Sequence, residues 1–244
     1  MAWTSVGGVG STGNATANST SIAVTLTGVA GSGSNVNDLL VAVVAVDNAS
    51  SVSNADEGAV LSVADSGSNS WTKAREITVG GGAVQGGAVC SVWYSQTKTA
   101  LTTSNTVTVT MGSSAQRDAK AMRVWRFTPS PGNTVRVADS TYLTAAAAQP
   151  GVMDLTSPVA GQEYLRFRAI ASETTLTTAL TTSAGWTSIG TARASATGAM
   201  SYRGEWIISS ATTLNSTGQY SAVPDHASIM VLFEESGPMG QTVL

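Results

Sequence analysis

The chain holds one cysteine, one histidine and few charges, and each scarcity removes a class of chemistry. Cys90 stands alone, so no intrachain disulfide and no thiolate metal cluster can form. Its setting, AVCSVWY, reads as a small apolar residue in a strand, with an intermolecular disulfide as the alternative. His226, in VPDHAS, lies far along the chain from Cys90, which leaves zinc without a ligand set. A nucleophilic triad would need His226 with an acid and a serine, but the G-x-S-x-G elbow of the α/β hydrolases is absent. His226 is therefore expected to be structural or solvent-exposed. Charged residues make up 11% of the sequence against about 25% in an average domain. Lysine occurs only at 73, 98 and 120, and the net charge is −3 with a pI near 5.1. There is no basic stripe to neutralise phosphates, so nucleic acid is not an expected partner, nor is an anionic membrane surface. The longest apolar run, LLVAVVAV (39–46), is far short of the roughly 20 residues of a membrane span. The opening MAWTSVGGVG lacks a basic segment followed by an apolar run, so no secretory signal is expected there.

Catalytic carboxylates are equally hard to assemble. Glu163, Glu173, Glu205, Glu234, Glu235 and Asp225 form no recognisable pair facing a cleft. VGGGAVQGG (79–87) is glycine-rich, yet it opens no helix and has no lysine to cradle a phosphate. It reads as a hairpin loop. The expectation is a non-enzymatic protein without catalytic residues or cofactor.

Serine, threonine and glycine fill the space that charge leaves. Threonine suits a pleated surface, and glycine and serine suit turns. Strand signals recur throughout. SIAVTLT (21–27) alternates with Ile22, Val24 and Leu26 on one face, and NTVTVTM (105–111) does so with Val107, Val109 and Met111. AMSYRGEWI (199–207) places Met200, Tyr202 and Trp206 inward and Arg203 and Glu205 outward. LLVAVVAV is apolar on both faces, which predicts a central strand covered on each side. Helix signals are nearly absent, and TAAAAQP (144–150) reads as a linker or a strand approach.

The order of features repeats. DLLVAVVAVDNAS, SNSWTKARE, VCSVWYSQTKTALTTSNTVTVTM and KAMRVWRFTPS are followed by EYLRFRAIASETT, SAGWTSIGTAR, MSYRGEWIISSATTLNSTGQYSAV and ASIMVLFEES. Leu40 matches Leu165, Trp71 matches Trp186, Trp93 matches Trp206 and Phe127 matches Phe233. SIAVTLTG matches PGVMDLTSP. The pattern predicts an all-β protein of two tandem antiparallel β-sandwich modules, jelly-roll or immunoglobulin-like, from an internal duplication. Module 1 spans 1–128, with 1–20 a flexible or partner-bound arm, module 2 spans 134–236, and 237–244 is a flexible tail. TPSPGNT (128–134) marks the boundary; a single larger sandwich with interleaved halves is the alternative.

ADSGSNSW (64–71) is the most distinctive short stretch. As a corner between strands it uses Gly67 for a positive φ, Asp65 and Asn69 to bond their own backbone, and Trp71 as a core anchor. As a calcium loop it offers Asp65, Ser66 and Asn69, with Asp47, Asp56 and Glu57 nearby in sequence, but no EF-hand pattern. The matching TTSAGWTS keeps the glycine and tryptophan and loses the acid and asparagine, which favours the corner.

ADSGSNSWTKA, then VWYSQTKTALTTSNTVTVTM and MRVWRFTP, resembles a family of tailed-phage structural proteins, with Ser68 inserted into the family's corner between Gly67 and Asn69. The resemblance covers most of 36–128 and more loosely 135–235. It implies a virion component assembled in the host cytoplasm and released by lysis, and it transfers no catalytic residues. A capsid decoration (cement) protein, binding the major capsid protein or other virion proteins as a dimer or trimer, is the first expectation. A tail or fibre adhesin for host glycans is the alternative, with Trp3, Trp125 and Tyr142 as the exposed aromatic contacts.

Overall fold

Alternating Val, Thr, Ile and Ala with almost no helix-favouring stretch leaves the backbone one way to satisfy its N–H and C=O groups, which is pairing between strands. In the computed structural model, which describes residues 3–16, 19–27, 35–47, 55–80, 87–112, 119–145, 150–173, 180–194, 200–218 and 225–237, all regular structure is strand. The first half supplies β1 (Thr4–Asn14), β2 (Ser21–Thr25), β3 (Leu39–Asp47), β4 (Val60–Asp65), β5 (Thr72–Gly80), β6 (Gly87–Gln96), β7 (Thr106–Met111) and β8 (Lys120–Thr128). The second supplies β9 (Thr134–Ala145), β10 (Met153–Thr156), β11 (Tyr164–Glu173), β12 (Thr187–Ser188), β13 (Ala192–Ala194), β14 (Met200–Ser209), β15 (Thr213–Ser216) and β16 (His226–Ser236).

Every pairing is antiparallel. The large sheet of the first half runs β1-β8-β3-β6-β5 and its small sheet β2-β7-β4. The second half follows the same order, β9-β16-β11-β14 with β12 and β13 on the far edge, and a small sheet β10-β15. First strand on last, second on seventh and third on sixth is the nested pairing of a jelly roll. Among the described residues no strand of one half enters a sheet of the other.

The halves are nonetheless joined by a core. Along β3, Leu39, Val41, Val43 and Ala45 face one way, and they share a cluster with Leu165, Phe167, Ala169 and Ala171 of β11. Leu40, Ala42, Val44 and Val46 face the other way, onto Val107 and Val109 of the small sheet. The result is four layers: small sheet, large sheet, large sheet, small sheet. All nine residues of β3 are buried, as its two-faced apolar run predicts. Aromatic rings cross the central seam. Phe127 meets Phe167 edge-on at 6.1 Å and Trp206 edge-on at 5.3 Å, and Tyr94 meets Phe233 at 5.4 Å. Polar bonds cross it as well: Trp125 Nε1 donates to Ile189 O (3.1 Å), Gly87 N to Glu173 Oε2 (2.7 Å) and Val135 N to Gln96 Oε1 (3.0 Å).

Three expectations need correction. The opening segment is no loose arm: β1 pairs with β8 from Thr4↔Thr128 to Asn14↔Lys120, with two bulges. Its glycines permit close approach. A Cβ on Gly10 would lie 2.8 Å from Val24 Cγ2, while Val9 anchors the strand in the core. Of the tail expected at 237–244, residues 238–244 lie outside the described residues. Second, two of the matched pairs are one residue out. Leu39 opposes Phe127 as Leu165 opposes Phe233, and Val41 opposes Tyr94 as Phe167 opposes Trp206. The counterparts of Leu165 and Trp206 are therefore Leu39 and Tyr94, because a one-residue slip in a strand moves a side chain to the other face.

Third, Arg203 and Glu205 do not face water. Outward from the central seam means toward the second small sheet, and both are fully buried there with Arg166 and Arg168. Glu205 accepts from Ser183 N (2.7 Å), Ser183 Oγ (2.7 Å), Ser216 Oγ and Gly218 N (3.3 Å). Arg168 donates to Ser216 Oγ (2.7 Å) and Gly151 O (2.8 Å), and Arg166 donates to Ser157 Oγ and Ala211 O (2.7 Å). The two-stranded sheet β10-β15 offers little apolar area, so guanidinium groups that reach Ser216 of that sheet and the carbonyls flanking it take the place of the aliphatic core found in the first half.

Candidate functional site

The 64–71 stretch is a corner in which every ligand oxygen already meets a donor. Asp65 Oδ1 accepts from Gly67 N (2.8 Å) and Asn69 N (3.2 Å), and Oδ2 accepts from Trp71 Nε1 (2.7 Å). Asn69 Oδ1 accepts from Lys98 N and Thr99 N, both at 2.8 Å. The positive ends of N–H dipoles occupy the directions from which a cation would approach Asp65 and Asn69, so these two residues knot the corner to the 98–99 segment. The positive φ falls on Ser68 (60°), not on Gly67. Gly67 is needed for space instead: a Cβ there would lie 2.5 Å from Leu101 Cδ2. Among the described residues no group of three metal-ligating side chains occurs. Cys90 is buried in the central core, and burial pushes its thiol up to about 12, which leaves it unreactive. His226 is also fully buried, at the start of β16.

Of the three aromatics expected to be exposed, two are not. Trp3 and Trp125 are only 6% and 7% accessible and belong to the central core. Trp125 faces the second half, a direction that a strand read in isolation takes for solvent. Tyr142, on β9, is partly buried at the edge of that core and reaches a cleft.

The cleft has a volume of about 400 Å³ and lies where β5, the edge strand of the first large sheet, passes β9, the edge strand of the second. Asp56, Lys73, Arg75, Glu76, Ser140 and Tyr142 line it. A bulge between Lys73 and Arg75 turns consecutive charges of TKARE to different sides of the strand. Lys73 Nζ takes one side, 3.2 Å from Asp56 Oδ2, 3.5 Å from Glu76 Oε2 and 5.5 Å from the Trp93 ring centroid. Arg75 takes the other. Its Cζ sits 4.6 Å from the Tyr142 ring centroid, and Nη1 donates to Ser140 O (2.9 Å) and Ser140 Oγ (3.1 Å).

The two carboxyls titrate in opposite directions. Burial holds Glu76 above the ordinary carboxylate range, against the pull of Lys73. Burial would raise Asp56 too, but the Gly58 N–H and the Lys73 ammonium outweigh it and bring Asp56 below that range. Such a split often marks an acid–base pair. Here the side chain of Glu76 has no exposed surface, and its oxygens accept from Ala59 N (2.6 Å) and Val60 N (3.1 Å). Glu76 therefore fastens the start of β4, and Asp56, with 47% of its side chain exposed, is the carboxylate that faces the cleft. The chain matches no protein-family model, and neither the curated proteins nor the solved structures include a significant match to it. The arrangement of the cleft is thus read from its own chemistry. It can bind a polar ligand through one exposed carboxylate, two cations, a hydroxyl and a tyrosine.

Sequence reasoning found Tyr142 and missed Lys73, Arg75, Glu76 and Ser140. The signal was present: TKARE sets three charges within four positions of a chain in which charge is scarce.

Proposed function

We propose that this protein is a non-enzymatic structural component of a tailed-phage virion, a capsid decoration (cement) protein that braces neighbouring subunits of the head. The observation that supports this reading best is the four-layer stack itself, in which the two half-chains share a central core and the charged side chains serve as internal fasteners. The Arg126 Nε to Asp38 Oδ2 pair at 2.6 Å, buried at the end of the first large sheet, is one of these. A rigid slab with a small sheet at each end suits bridging between two sites, where a second contact gains from effective concentration. The resemblance of residues 36–128 to tailed-phage structural proteins points the same way, and the common strand order of the halves agrees with an internal duplication. Cryo-electron microscopy of virions carrying this chain tests the proposal. Density matching the four-layer stack on the head supports it, and absence of that density from the head overturns it.

The second reading, a tail or fibre module that binds host glycans, is favoured by one observation, the tyrosine-lined polar cleft between β5 and β9. Density confined to the tail, together with binding on a glycan array, is the result expected of that reading.

A further inference from the structure

We propose that the cleft between β5 and β9 is a binding site for a carboxylate-bearing saccharide, with Arg75 as the anchor for the carboxylate. The inference deepens the glycan-binding reading and rests on it, and it is independent of where the protein sits in a virion. Its starting point is an imbalance. Lys73 is neutralised by Asp56 and Glu76, whereas Arg75, among the described residues, contacts only the carbonyl and hydroxyl of Ser140 and the ring of Tyr142. A guanidinium held over a ring and tied by one nitrogen to Ser140 is pre-oriented, and its planar fork of N–H groups suits the two oxygens of a carboxylate.

The rest of the lining decides what the carboxylate is attached to. Asp56 stands on the same cleft as an exposed acceptor, and Ser140 and Lys73 add a hydroxyl and an ammonium. The formal charges of Lys73, Arg75, Asp56 and Glu76 cancel, so a ligand of multiple negative charge, such as a phosphorylated one, would be repelled at the Asp56 end. A ligand with one anionic group at the Arg75 end and hydroxyls toward Asp56 satisfies both ends, and a sugar acid has that distribution. The volume of about 400 Å³ suits one or two sugar rings and lies in the ordinary range for small-ligand sites.

The test is titration of the isotopically labelled full chain with glucuronate, glucose and glutamate, each to about 20 mM, followed by NMR shifts at Arg75, Ser140 and Tyr142. Saturable shifts with glucuronate, and none with glucose or glutamate, are expected. Arg75→Gln is expected to weaken glucuronate binding roughly tenfold or more, and Arg75→Lys to restore part of it. Because Arg75 also ties β5 to β9, an unchanged Tm for each variant is the control for folding, and Asp56→Asn supplies a second variant on the other wall. Equal binding of glucose overturns the role of Arg75. Equal binding of glutamate overturns the saccharide assignment. No binding of any of the three overturns the site; glycan-array binding that Arg75→Gln and Asp56→Asn leave intact would then place glycan recognition elsewhere on the chain and spare the broader reading.

Discussion

Replacing Phe127 with alanine probes the central seam directly. Phe127 belongs to β8 of the first half, is fully buried, and meets Phe167 and Trp206 of the second half edge-on. Removal of a buried phenylalanine ring costs about 3–5 kcal/mol. Two favourable ring pairs across the seam, each worth about 0.5–1.5 kcal/mol beyond buried area, put this site toward the upper end. In a chain of this size the loss corresponds to a fall in Tm of roughly 10 °C or more. The level alone does not separate a shared core from two independent modules, but its distribution does. Hydrogen exchange followed peptide by peptide should show β2 and β7 in the first half losing protection together with β11 and β14 in the second. Urea unfolding should remain a single transition at a lower midpoint. If β11 and β14 keep wild-type exchange while the first half alone loosens, the seam does not couple the halves and the shared-core account is wrong.

Three further predictions follow from the polar contacts. Asp65→Asn turns an NH2 group toward donors it cannot accept from and should cost about 1–3 kcal/mol in urea unfolding, while calcium or EDTA leaves the wild-type Tm unchanged; a calcium-dependent rise in Tm that this variant abolishes would refute the corner assignment. Glu205→Ala leaves the donors of Ser183, Ser216 and Gly218 without their buried acceptor and should cost about 3 kcal/mol or more, with β15 losing exchange protection first; a cost below about 1 kcal/mol would show that water replaces the carboxylate freely. Glu76 has its folded value raised above the ordinary 4.5, so the native state holds this proton more tightly than the unfolded chain does. Its contribution to stability is fully present below 4.5 and is lost as pH rises through the raised folded value. Asp56, lowered, works in the opposite sense, and its contribution is lost as pH falls through its folded value. Glu76→Gln should therefore flatten the fall in urea midpoint above pH 4.5, whatever its effect on the absolute level, and an unaltered slope would show that Glu76 is not the titrating group.

Much of the fold was legible in the chain because strand periodicity is local. Ile22, Val24 and Leu26 alternate into the core as their spacing requires, and β3, apolar on both faces, is covered on both. The corner at 64–71 was legible for the same reason, since Asp65 bonds its own neighbours. What misled was direction. Arg203 and Glu205 alternate as surface residues do, and Trp3 and Trp125 lie where the first half alone would be exposed. The cleft joins Arg75 to Ser140, 65 positions away, through no local pattern.

The sequence by itself determined that the regular structure of the described residues is strand and which residues alternate within each strand, because those follow from φ/ψ preference and the two-residue repeat of a pleated backbone, while the loops expected at 79–87 and 144–150 fall mostly outside the described residues. Only the tertiary structure decided which face of each sheet meets water. That depends on what packs against it: here the two large sheets cover one another, which buries the tryptophans, ties buried arginines to Ser216 of the two-stranded sheet and to the flanking carbonyls of Gly151 and Ala211, and opens a polar cleft where two sheet edges pass.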